Sequence, residues 1–218
     1  MANSILQDGH YKVSGGGTTE NIAWSTTGDY RTIVLAIAVY GTAVPFVSDP
    51  SIIWGAGAIV SNGTFSLRVI TGTAAAASGT TTVTVTSGSV LLLTLDPFYD
   101  AAGATAYPVL STSAPFQGTS ADPSTSITTV NAFDQVLAYE ISTNQSVPGA
   151  GSGFSSTGIY PTVNGYYDLL GEIASAYTAT PASVPVSFSN TSSEPWVAIA
   201  LALTGAAVST PSYGSFWF

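Results

Sequence analysis

Short alternating runs dominate the chain. In Thr80–Thr86, Val83 and Val85 face one way while Thr82, Thr84 and Thr86 face the other. Phe65-Ser-Leu67-Arg-Val69 and Val184-Pro-Val186-Ser-Phe188 repeat that period of two. Gln135–Ser142 reads as a further strand. Val90–Asp96 is nearly continuous in apolar residues, as in a strand buried on both faces. Turn chemistry separates these runs at Gly15–Gly17, Ser48–Pro50, Ser61–Gly63, Ala121–Pro123 and Pro148–Gly153. Many short strands punctuated in this way predict an all-β sandwich or barrel. Only Tyr166–Tyr177 follows the helical period, through Tyr166, Leu169, Leu170, Ile173, Ala174 and Tyr177. Gly171 and the β flanks weigh against a helix there.

Two segments read alike, Ser25–Gly41 and Ser189–Gly205. Each is a polar turn with an acid (Asp29 or Glu194), followed by a long apolar strand closed by glycine. Large residues alternate with small ones: Ile33, Leu35, Ile37 and Val39 against Ala36 and Ala38, then Val197, Ile199, Leu201 and Leu203 against Ala198, Ala200 and Ala202. An alanine face lets a second backbone layer approach closely. No other segment pairs up at the same offset, which favours two central strands of one sandwich over a duplicated sequence. As partners in one sheet they would close a single antiparallel domain over residues 19–205. Residues 1–18 then form an N-terminal arm or strand, and 206–218 a C-terminal arm that ends in Phe216, Trp217 and Phe218.

Composition narrows the function classes. Lys+Arg is 3 against Asp+Glu 12, and charged residues are 7% of the chain. With Lys12, Arg31 and Arg68 as its only cations, the protein cannot neutralise a run of phosphates, so nucleic acid is excluded as a partner. Nor is there a polybasic patch for an anionic membrane. The longest apolar stretches, Ile33–Tyr40 and Trp196–Leu203, fall short of the roughly 20 residues of a spanning helix. Met1–Asp8 lacks the basic start and apolar core of a signal peptide, so export inside a virus particle or prior removal of a signal is expected.

Candidate chemistry is sparse. Cysteine is absent, which removes disulfides and thiolate nucleophiles. His10 is the only histidine, and no Gly-x-Ser-x-Gly elbow accompanies it. Glu140, Glu172 and Glu194 are not paired by any spacing that glycoside hydrolysis would use. The expectation is therefore a protein that is not an enzyme and has no organic cofactor. Calcium is the one metal to weigh, with Asp96 and Asp100 at a strand end and Asp122 in a turn, set against plain Asx-turn chemistry. A sugar platform would draw on Trp54, Tyr166 and Tyr167. Assembly contacts are expected at Ile5 and Leu6 in the N-terminal segment and at Phe216, Trp217 and Phe218. So large an apolar area is not normally left bare on a free tail.

The succession YRTIVLAIAVYGTAVP, SIIWGAGAI, GTTTVTVT, TSADPSTSITT, FDQVLAYEI, VPVSF and EPWVAIALAL resembles the jelly-roll-like β-sandwich domains of phage virion proteins and prokaryotic surface or filament proteins. The likeness covers roughly residues 19–205 and transfers no functional residue. It implies a structural subunit of a virion, extracellular or cell-surface assembly: a tail, fibre, capsid decoration or surface filament. Its partners would be copies of itself and other virion or surface proteins. The alternative is a carbohydrate-binding module of lectin or adhesin type, with a glycan as ligand.

Overall fold

Seventeen strands and no helix make up the described part of the chain, in four antiparallel sheets. The computed structural model describes residues 5–28, 31–100, 108–132, 134–143, 149–161, 168–174, 180–190 and 192–204. In the first half, β1 (Ile5–Gln7) and β2 (Tyr11–Ser14) both pair with β9 (Ser89–Asp100). The sheet continues through β4 (Thr32–Tyr40) and β7 (Phe65–Ala74) to β6 (Ile52–Ser61). A three-stranded sheet covers it, in the order β3 (Thr19–Ser25), β8 (Ser78–Thr84), β5 (Phe46–Ser48).

The second half repeats this connectivity. Its large sheet runs β10 (Val109–Ser120), β17 (Glu194–Thr204), β12 (Asp134–Ser142), β15 (Asp168–Ala174), β14 (Phe154–Pro161). Its small sheet runs β11 (Ser124–Thr128), β16 (Ser183–Ser189), β13 (Gly149–Ala150). Each strand from β3 to β9 has its counterpart eight strands later in the same place, and β10 takes the position that β1 and β2 share.

Three cores separate the four layers. Ile33, Leu35, Ile37 and Val39 of β4 pack with Ile22, Trp24 and Val83 of the first small sheet. Ala198, Ala200 and Ala202 of β17 pack with Ile127, Val186 and Phe188 of the second. Between the two large sheets, Val34, Ala36 and Ala38 of β4 share a core with Val197, Ile199, Leu201 and Leu203 of β17. The large residues of one strand therefore meet the small face of the other sheet, which lets two continuous apolar strands stack without overfilling the layer.

The all-β, antiparallel architecture is as expected, and the described residues form four sheets where a single sandwich has two. One expectation is corrected. The two look-alike strands β4 and β17 are not sheet partners; each is central in its own sheet, and they meet across the middle core. They are also not equivalent by position, since the counterpart of β4 is β12 and that of β17 is β9. Similar composition here reflects similar burial. The helical period of residues 166–177 is overridden as well, because Asp168–Ala174 pairs with both β12 and β14.

Gly88, in the turn before β9, has φ +79, and a Cβ there would lie 1.9 Å from the Tyr40 carbonyl oxygen. The turn must bend where β4 passes, so only glycine fits. Gly88→Ala is expected to destabilise by roughly 2–3 kcal/mol, read as a lower urea midpoint at unchanged slope.

Candidate functional site

The N-terminal segment is fastened to the body by two polar clusters. Asp96, fully buried on β9, accepts hydrogen bonds from Gln7 Nε2 at 2.7 Å, from Tyr139 Oη at 2.7 Å, and contacts His10 Nδ1. Tyr139 belongs to β12 of the other half, so one carboxylate ties both halves and the segment between β1 and β2 together. Both of its oxygens are engaged by protein groups, as a buried polar side chain requires. Neighbouring Asp8 pairs with Arg31 Nε, and its carboxylate accepts from the Thr27 amide at 3.0 Å. Arg31 lies with its guanidinium carbon 4.3 Å from the centroid of the Tyr99 ring.

Burial pushes the Asp8 carboxyl up, but hydrogen bonds from Thr27 and Arg31 and the Arg31 charge outweigh it and hold it below its ordinary value. A depressed folded pKa contributes stability above the unfolded value of about 3.9, and that contribution is lost as pH falls through the folded value. Asp8→Asn is therefore expected to be less stable than the parent at neutral pH. The gap should close in acid, as measured by urea midpoints from pH 7 down to about pH 2.

The second feature is an apolar groove of about 330 Å³ on the first half, lined by Val44, Pro45, Phe46, Val47, Trp54, Gly55, Arg68 and Ile70. It exists because the small sheet is narrower than the sheet it covers. Strands lie about 4.8 Å apart, so three strands leave about two strand widths of a five-strand row bare. β5 ends the small sheet and β6 ends the large one, so the groove lies between two sheet edges. Phe46 is 69% exposed and Val44 62% exposed at its rim. Trp54 packs on Gly72, where a Cβ would come within 2.9 Å of its ring, and its indole N–H is buried without a hydrogen-bond partner. Arg68 donates to the Pro45 carbonyl oxygen, and burial pushes its pKa below the ordinary arginine value.

The sequence-level candidates fall out as follows. Ile5 is buried in the middle core and pairs with Asp100, while Leu6 beside it is 42% exposed. Asp96 and Asp100 lie on one strand, but Asp122 sits exposed in the turn between β10 and β11. Among the described residues no group of three or more acidic or histidine side chains could hold a metal ion. Trp54 lies in the groove, whereas Tyr166, Tyr167, Phe216, Trp217 and Phe218 lie outside the described residues. Glu140 is buried and accepts from Asn190 Nδ2 at 2.8 Å. Sequence reasoning missed Phe46 and Tyr139. Phe46 had only its place in a short run after Pro45 to mark it, and Tyr139 only a polar tip within an apolar strand.

No protein-family model, curated protein or solved structure matches the chain.

Proposed function

We propose that the chain is a non-enzymatic structural subunit of a repeating extracellular or virion assembly, such as a tail, fibre, capsid decoration or surface filament. The observation that carries this reading is the open apolar groove between the edges of β5 and β6, on a chain with very few charges. Soluble proteins that stay apart use charge and protected edges to do so. This one presents apolar side chains beside a strand edge that no other described strand pairs, which supports a surface that a partner covers.

The strand order adds support. With β2-β9-β4-β7 in one sheet and β3-β8-β5 in the other, these strands pair with distant ones, as in a jelly roll; β6 instead forms a hairpin with β7 at the end of the large sheet, and the second half repeats the order, hairpin included. We read the chain as two jelly rolls packed back to back; the single jelly roll is an architecture of capsid and lectin domains, and the fold alone assigns no activity. Analytical ultracentrifugation over a range of concentrations tests the reading. Growth from monomer into larger species is expected, and a protein that stays monomeric at high concentration overturns it.

A further inference from the structure

We infer that the groove between β5 and β6 receives residues 205–218 of a second copy of this chain, added as a fourth strand of the small sheet beside β5. The inference rests on the structural-subunit reading and names the joint that such an assembly would use.

Three features select this occupant. The first is the missing width of the small sheet. One strand laid beside β5 would continue that sheet over β6 and cover Trp54 and Ile59, the latter 39% exposed. Addition of a strand to an exposed edge draws affinity from main-chain hydrogen bonds and specificity from alternate side chains in pockets. The segment Tyr213-Gly-Ser-Phe-Trp-Phe218 supplies that alternation, since Phe216 and Phe218 fall on one side of a strand and Trp217 on the other.

The second feature is charge. Each copy carries −9, so two copies repel one another overall. Residues 205–218 contain no charged side chain, and the groove is lined by one cation and no carboxylate. This pairing brings no acid against acid. The third is room: Phe46 is 69% exposed at the rim, so an added strand has apolar surface to bury there.

A segment of one copy in a groove of the next is a heterologous contact, which propagates into rings or filaments. That is the form of contact a repeating assembly needs.

Complementation between full-length variants tests the joint. Phe46→Asp spoils the groove at a residue whose side chain is mostly in water. The triple variant Phe216→Ser, Trp217→Ser, Phe218→Ser spoils the segment. Each alone is expected to self-associate at least about thirtyfold more weakly than the parent. A one-to-one mixture should form heterodimers and nothing larger, because it holds one intact groove and one intact segment per pair. Circular dichroism checks that both variants keep the parent fold. If the parent associates and either variant associates equally well, the joint is wrong while the structural reading stands. If the variants are monomeric but their mixture forms no heterodimer, the joint is likewise wrong. A parent that is monomeric throughout overturns both.

Discussion

Asp96→Ala is expected to cost about 2–4 kcal/mol, because it removes the buried acceptor shared by Gln7 Nε2 and Tyr139 Oη and the contact with the His10 ring. Gln7 Nε2, Tyr139 Oη and the His10 ring all turn to this one fully buried carboxylate. Water cannot easily replace it, since Tyr139 is itself 1% exposed and packed in the middle core. The loss has a structural direction. Gln7 and His10 flank the segment that ties β1 to β2, so the first effect is release of residues 5–14 from the edge of β9. Tyr139→Phe deletes one donor and leaves the other two, so about 1–2 kcal/mol is expected for it. Urea unfolding of both variants, with limited proteolysis of the N-terminal segment, provides the check. Equal stability of Asp96→Ala and the parent would mean that the carboxylate does not hold the two halves together.

How far this arrangement can be read from the sequence depends on the distance over which each feature is encoded. Strand periodicity is local, and the runs at Phe65–Val69, Val90–Asp96, Gln135–Ser142 and Val184–Phe188 all lie in strands. β10 carries Pro115 and few large apolar residues, so it leaves no such signature. As an edge strand, paired with β17 alone among the described residues, it accommodates a proline with little loss of ladder hydrogen bonding. Gly171 has a tertiary reason for its place. A Cβ there would lie 3.0 Å from the Tyr139 ring and 2.3 Å from Thr157 Oγ1, so glycine lets β15 pass between them. Nothing within the 166–177 window reveals those neighbours, and the helical spacing of Leu169, Leu170 and Ile173 is incidental.

Sheet membership is encoded at longer range still. β4 and β17 share a composition because each is flanked on both sides and covered on both faces. Burial alone cannot say which sheet holds which strand. The repeat is visible in the pairing order and not in the residues, since β12 with Tyr139 and Glu140 bears little likeness to its counterpart β4. The same holds for the polar site: His10 and Asp96 are legible one at a time, as a lone histidine and a turn-like acid. Their contact spans 86 residues and exists only once β1 and β2 have paired with β9.

Phe65→Ala is expected to lower stability by about 3–5 kcal/mol and to do so for both halves at once. Phe65 is fully buried at the start of β7, in the first half, but the core it fills is shared with Leu137, Tyr139 and Ile141 of β12 and Val197, Ile199 and Leu201 of β17. A cavity there removes contacts from both large sheets, because close-packed neighbours recover only part of the lost volume. Each half also has a core of its own, around Trp24 in one and Trp196 in the other. Those two indoles donate to Asp49 at 2.8 Å and to Ser120 at 3.0 Å. They can therefore report separately, once variants that keep only one of them are compared. If the middle core couples the halves, both probes shift to the same lower midpoint in urea and the transition stays single. A Phe65→Ala protein in which the Trp24 midpoint falls while the Trp196 midpoint stays put would mean that the two halves are stable independently. The back-to-back packing would then contribute little to holding the chain together.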